Sequence, residues 1–268
     1  MIERFIQERK YLGNVSVKTL MWYKDSFRAF EGAFETEEQI KQRIVEIRQR
    51  GVRAVSVNTY LRCIRAYWEW QGKQWTIPRL KEEQKILTVF NAEQIARIVK
   101  CKPEGQNEVR VWTMAMTAMD SGLRIQELIY LTRADVDFEN LVMKVRGKGN
   151  KQRLVPMSIE LRKHLFRFLS RHRHSSVFAT KTGVPIMVRN AQRDFKVLCE
   201  RLGIAGVRTS FHTLRHTFAV NYLKAGGNLY YLQRILGHSS ITTTEKYLRS
   251  LGIEDLKKVH DGLSLLSK

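Results

Sequence analysis

Cysteine is scarce: Cys63, Cys101 and Cys199 stand alone in 268 residues, with no CxxC pair among them. A disulfide-stapled module is excluded, and a reducing, cytosolic compartment fits this usage. No apolar run approaches the roughly 20 residues of a membrane span. The opening, MIERFIQERK, mixes acids and bases and lacks the apolar region of a signal peptide. No low-complexity tract or long-period repeat interrupts the chain. Acidic residues are few, 26 Asp and Glu against 47 Lys and Arg, for a formal net charge of +21. That excess fits a polyanionic partner, nucleic acid first and a membrane surface second. Hydrophobic residues make up 43%, enough for real cores, and the length suits two domains.

The pattern that is present is mainly helical. Leu20, Tyr23, Phe27 and Phe30 recur at helical spacing, as do Ile40, Ile44 and Ile47, and then Val57, Leu61, Ile64 and Trp68. Gly51 and Gly72 are good stops for the second and third of these stripes. Lys18, Lys24, Arg62 and Arg65 fall between the stripes, which predicts a small helical bundle with a basic, DNA-binding face. The stretch QWTIPRLKEEQKILTVF, with Pro78 and a charged run, reads as an extended linker. Helical patterns resume at Asn91, a candidate cap. They are interrupted once, by LVMKVRGKGNKQRLVPM, two alternating runs about Gly-Lys-Gly-Asn that predict a β-hairpin. The expected architecture is mainly α: an N-terminal helical bundle, then a mostly helical domain holding a small antiparallel sheet.

Several residues of the second half carry chemistry, and each also has a plain reading. Arg124 follows Gly122 where a helix restarts, and free N–H groups there suit an anion. Arg124 with Glu127, three residues on, could equally be a surface ion pair. Lys148 lies in the glycine-flanked turn GKGNK, where a solvated lysine is ordinary and Lys151 competes with it. In FHTLRHTFAV, His212 and Arg215 share a helix face, and His216 shares that face or packs beneath it. A zinc site is rejected, because Thr213 stands where HExxH needs Glu and no carboxylate or thiol completes the set. His238 follows Gly237, a helix terminator that would present it from a loop. Thr242 to Glu245 reads as a capping box opening a short helix, and Tyr247 on that helix would by itself be a packing residue. Together these residues put cations, imidazoles and a phenol in one domain, with no acidic cluster for a two-metal nuclease. Cations can neutralise charge developing on a phosphate, and a tyrosine can be a covalent nucleophile.

SGLRIQEL, GKGNKQRLVP, HTLRHTFA and LGHSSITTTEKYL resemble, in order and spacing, the signatures of the tyrosine recombinases, nearest to the Xer and phage-integrase branch. The resemblance covers roughly residues 88–250. It implies a core-binding domain over residues 1–76, a linker over 77–87, and a catalytic domain with a C-terminal tail over 88–268. By motif, Arg124 and Arg215 would hold the scissile phosphate and Glu127 would support Arg124. Lys148 would protonate the leaving 5′ oxygen, His212 would be the acid/base, His238 would hydrogen-bond the phosphate and Tyr247 would be the nucleophile. The implied reaction is a pair of transesterifications through a 3′-phosphotyrosine, needing neither ATP nor a metal or other cofactor.

The implied partner is double-stranded DNA with an inverted-repeat target, gripped between the two domains, with a tetramer forming on two duplexes and no membrane involved. The 21 residues after Tyr247 include Leu256, Leu263, Leu265 and Leu266. The resemblance implies that this tail docks on a neighbouring protomer; folding back on its own domain is the alternative. A type IB topoisomerase and a non-catalytic DNA-binding protein are the competing readings.

Overall fold

A computed structural model describes residues 1–83, 87–147 and 152–263. The chain divides into two compact units, Met1–Lys85 and Ile86–Lys268. None of the described helices is long and apolar enough to cross a membrane.

The first unit is four helices: α1 (Ile2–Tyr11), α2 (Val17–Phe30), α3 (Glu37–Gln49) and α4 (Ala54–Trp70). Ser16 caps α2 and Thr36 caps α3, each hydroxyl accepting from the backbone N–H three residues on. The three apolar stripes converge on one core of Phe5, Tyr23, Phe27, Phe30, Ile40, Ile44, Ile47, Val57, Leu61, Ile64 and Trp68. Phe5, from α1, sits edge-on to Tyr23, Phe27, Tyr67 and Trp70. The expected linker begins as part of this unit. Ile77 is buried in its core, and the Asn58 side chain donates to the Leu80 carbonyl and accepts from the Leu80 N–H, both at 2.9 Å. Asn58 holds this stretch because a buried amide must satisfy both its ends.

The second unit is built on α6 (Gly105–Ser121), an apolar helix packed against α8 (Ile159–Leu169), α9 (Val188–Arg201) and α10 (Phe211–Lys224). Before it comes α5 (Ala92–Val99), where Asn91 and Gln94 form a capping box. After it come α7 (Ile125–Ile129) and a three-stranded antiparallel sheet in the order β1 (Val136–Asp137), β2 (Val142–Arg146), β3 (Gln152–Pro156). The hairpin pairs Val142 with Pro156 through Arg146 with Gln152. Met143, Val145 and Val155 face the core, and period-two alternation puts Arg153 on that inward side too. β1 is too short to carry an alternation, and the sequence pattern alone does not reveal it. The chain closes with α11 (Leu229–Leu236), α12 (Thr242–Glu245), a 3-10 turn over Leu248–Ser250, and α13 (Ile253–Leu263).

Two glycines end helices where side chains crowd against the backbone. Gly122 ends α6 at φ +65°, and a Cβ there would strike Phe218 and come within 2.8 Å of Leu236. Gly237 ends α11 at φ +64°, with the Arg153 guanidinium 2.9 Å from where its Cβ would lie. The tail starts against its own unit: Asp255 of α13 pairs with Lys224 of α10 at 3.1 Å, while Leu256 is half exposed. Leu265 and Leu266 lie outside the described residues.

Candidate active site

A helix end explains how so much positive charge is buried here. The last carbonyls of α11 have no intrahelical donors and form the negative end of its dipole. Three arginines donate to them. Arg153 Nε meets the Ile235 carbonyl at 2.7 Å, and Arg215 Nη2 meets that of Leu236 at 2.8 Å. Arg124 Nη1 meets the same Leu236 carbonyl at 3.1 Å. Arg215 Nη1 also donates to the Gly122 carbonyl, at 2.7 Å. The two glycine-ended turns thus supply the acceptors, and the start of α7, α10 and β3 supply the cations.

One carboxylate lies among them. Glu127 accepts Arg153 Nη1 and Nη2 at 2.8 and 2.9 Å, Arg124 Nη1 at 3.0 Å, and the Arg124 backbone N–H at 2.8 Å. Arg215 Nη1 stands 3.9 Å from it. Burial raises the Glu127 carboxyl, but hydrogen bonds and charge from Arg153 and then Arg124 outweigh it and hold the group below the usual carboxylate range. The backbone N–H expected to be free for an outside anion at Arg124 is therefore capped by Glu127 itself. Arg215 is almost fully buried, and burial followed by the Arg124 charge pushes it down to about 10, so it remains charged at neutral pH.

Tyr247 reaches this cluster from the junction of α12 and the 3-10 turn. Its side chain is buried among Ala219, Val220, Leu223, Leu232 and Leu236. Its hydroxyl lies 3.1 Å from His216 Nδ1. Burial raises the phenol, opposed chiefly by the Arg215 cation and also by Arg124. The Thr242–Glu245 capping box expected from the sequence does not form. Ile241 is already helical at the N-cap position, and no side chain caps α12. Thr244 is buried instead, its hydroxyl 2.9 Å from His238 Nδ1.

That contact and its neighbour fix the state of His238. Arg215 Nη2, which can only donate, sits 2.9 Å from His238 Nε2. The ring therefore accepts at Nε2 and carries its proton at Nδ1, towards Thr244. His212 is exposed at the outer edge of the same cluster, its ring centroid 6.0 Å from that of His216. Burial, then Arg215 and Lys246, lower it. Lys148 and its competitor Lys151 lie outside the described residues. Arg124, Glu127, Arg215, His212, His238 and Tyr247 are all brought together.

Three further residues belong to the cluster. Arg153 stands at an inward-facing position of β3, where strand alternation makes an arginine demand an anion, and that is the signal that could have revealed it. His216 holds the Tyr247 hydroxyl. The half-buried Lys246 ammonium stands 5.0 Å from the centre of the Tyr247 ring, and burial, then Arg215 and Arg124, lower it. Lys246 carries no sequence signal beyond its place beside Tyr247.

The surrounding charge has a consequence for stability. Burial, then Arg215, Arg124 and Lys246, push His238 down to about 3. Burial, then Lys246, His212 and Arg215, push His216 down to about 4. Unfolded, both would protonate near 6.5. Between 6.5 and these folded values the unfolded chain binds more protons, so the stability present above pH 6.5 is lost as pH falls through that window. The urea midpoint should drop steadily from pH 7 to pH 5, and His238→Asn should flatten the slope. A midpoint independent of pH over that range would refute the assignment.

In the first unit, Lys18 and Lys24 are exposed on α2, and Arg62 and Arg65 on α4. The Arg62 guanidinium lies over the Trp22 ring at 5.6 Å, and Arg65 pairs with Glu69 at 2.8 Å. Arg62, Arg65, Trp75 and Arg79 line a groove of about 700 Å³.

The family model described as the phage integrase family matches residues 88–252, the stretch that holds every residue of this cluster. This chain belongs to the phage integrase family. It is a Xer-like, site-specific tyrosine recombinase. The tyrosine recombinase XerC of Xanthomonas axonopodis pv. citri (strain 306) is 31% identical over 233 residues, covering 83% of this chain and 76% of that protein. XerC of Proteus mirabilis is 26% identical over 238 residues, covering 84% and 77%. Among solved structures, the Tn1549 transposon integrase in complex with circular intermediate DNA is similar at a TM-score of 0.78, with 20% identity over 98% of this chain and 99% of that one. XerH bound to palindromic difH substrate in a post-cleavage complex is similar at 0.75, with 17% identity over 100% and 84%. At these identities the structural likeness establishes the recombinase fold, α-helical with its small antiparallel sheet.

Proposed function

We propose that this protein cleaves and rejoins duplex DNA at a specific site through a covalent 3′-phosphotyrosine on Tyr247. The observation that carries the reading is the meeting of the Tyr247 phenol with two guanidiniums, buried Arg215 and partly exposed Arg124, around one compensating carboxylate among the described residues. Such a cluster has positive charge to spare for a phosphate, which arrives with the negative charge the site lacks.

In the first step the Tyr247 oxygen attacks the scissile phosphorus. The P–O5′ bond breaks, the phenolic proton leaves, and the 5′ oxygen departs as a hydroxyl after gaining a proton. In the second step a 5′ hydroxyl of the partner strand attacks the phosphotyrosine and releases the phenol. Each step exchanges one phosphodiester bond for another, so bond energy is conserved. Arg124 and Arg215 hold the non-bridging oxygens. His238, already bonded to Arg215, fixes that guanidinium and turns to the phosphate when it binds. His212, at the open edge, serves the proton transfers. Lys148 remains the candidate donor to the 5′ oxygen on the strength of its motif. Lys18, Lys24, Arg62 and Arg65 contribute backbone contacts from the first unit, four subunits act on two duplexes with the C-terminal tail linking neighbours, and the protein works in the cytoplasm.

The DNA complexes of the Tn1549 integrase and XerH support DNA as the partner. Enrichment from a random duplex library by the purified protein should yield an inverted repeat about a short spacer. Two differently labelled duplexes carrying that repeat should then exchange strands without ATP or added metal. Relaxation of supercoiled DNA with no exchange would instead support a type IB topoisomerase, and neither activity would leave a DNA-binding protein.

A further inference from the structure

Helix α10 presents two histidines on one side, and only the first has a motif-based role. His212 lies at the open edge. His216, one turn further in, is the imidazole that touches the nucleophile, with Nδ1 3.1 Å from the Tyr247 hydroxyl and the two rings 5.6 Å apart at 55°. We propose that His216 is a positioning residue for strand cleavage: its Nδ1 accepts the Tyr247 hydroxyl hydrogen and thereby aims the phenol oxygen at the Arg124–Arg215 pair. The proposal rests on Tyr247 being the nucleophile.

The hydrogen-bond roles follow from the neighbours. Among the described residues, the charged and titratable groups that act on this imidazole are Lys246 beside Tyr247, and Arg215 together with His212 on α10 itself. A protonated ring there would meet repulsion and could only donate. Burial and these cations keep the ring neutral at physiological pH, so Nδ1 is free to accept once the proton sits at Nε2. A phenol that donates to Nδ1 has its oxygen lone pairs left for the other side, where Arg215 is the dominant cation. Tyr247 stands between a four-residue helix and a 3-10 turn, so its hydroxyl is fixed by what it meets across the cluster, His216 on one side and the Arg215 guanidinium on the other. Ring packing among Leu232, Leu236 and Val220 sets where the ring lies but not the direction of the O–H bond.

The test uses the full-length protein and a nicked duplex bearing the enriched repeat, with single-turnover adduct formation as the readout. His216→Ala is expected to slow adduct formation roughly 10²-fold, the scale of a misaligned reacting group. The Kd for the unnicked duplex should stay within about twofold, because the imidazole is not a phosphate ligand. His216→Asn, whose side-chain oxygen can accept where Nδ1 did, should recover most of the rate. Its pH profile above pH 6 should keep the wild-type shape. Wild-type or faster cleavage by His216→Ala would overturn the proposal, the faster result meaning that the bond restrains the tyrosine. A folded His216→Asn as slow as His216→Ala would also overturn it, as would loss of a limb of the pH profile, which would mark a proton acceptor instead. Failure of the nucleophile assignment is separable: Tyr247→Phe would then still form adduct, whatever His216 does.

Discussion

Tyr247→Phe is expected to fold, bind the enriched duplex with unchanged affinity, and form no covalent adduct on a nicked substrate. The side chain is wholly buried against Ala219, Val220, Leu223, Leu232 and Leu236, and phenylalanine keeps every one of those contacts. The change deletes one oxygen and its bond to His216, a loss of about 1 kcal/mol on the usual scale for such a bond. Because phenylalanine offers no oxygen to phosphorus, adduct formation should fall to background rather than to a fraction. Denaturing gel electrophoresis of the labelled duplex reads this directly. Adduct at the wild-type level in Tyr247→Phe would end the proposed mechanism and send the search to other hydroxyls, beginning with the exposed Tyr230 and Tyr231 on α11.

That test is possible because Tyr247 was legible in the sequence, although for reasons different from those that hold it in place. Motif order in LGHSSITTTEKYL singles out His238 and Tyr247. The capping box read from the same letters is absent, because the helical backbone already includes Ile241, which leaves Thr242 inside α12 rather than at its cap. Thr244, which no short-range pattern marks, is buried against His238 by a tertiary contact. The apolar stripes of the first unit fared better. Tyr23, Phe27, Ile40, Ile44, Val57 and Ile64 repeat at the helical period, and that period alone decides which face turns inward. The hairpin was legible from alternation about GKGN, whereas the two-residue β1 was too short to alternate. Residues 77–82 look like a linker by composition, yet they are bound by Asn58, a residue some twenty positions earlier. Arg153, and the contact that His216 makes, share that reason for escaping notice. Each is explained by what lies across from it in space, Glu127 for the one and Tyr247 for the other.

Arg153 and Glu127 make the point energetically, and Glu127→Gln should be the most destabilising single change in the cluster. The Glu127 side chain is 4% exposed and accepts from Arg153 twice and from Arg124 twice, with Arg215 close by. Gln preserves the shape but removes the charge and turns one acceptor into a donor aimed at guanidiniums. Stripping one partner from a buried ion pair costs about 3–5 kcal/mol, because the remaining charge is left uncompensated. Here three arginines depend on the one anion, and the α11 carbonyls that also receive them carry only partial charges. The urea midpoint should fall by that amount, and adduct formation should fall with it as Arg124 loses its anchor. The sign of the pH dependence gives an independent check. A carboxyl held below its unfolded value contributes stability that is present above about pH 4.5 and is lost as pH drops through the folded value. Glu127→Gln should therefore lack part of the acid limb below pH 4.5 that the wild-type protein shows. Glu127→Gln combined with Arg153→Gln should be less destabilised than the sum of the two single changes, since removing a buried cation together with its partner restores the balance. Strict additivity, or a loss under about 1 kcal/mol for Glu127→Gln alone, would mean that the helix end holds the arginines without the carboxylate.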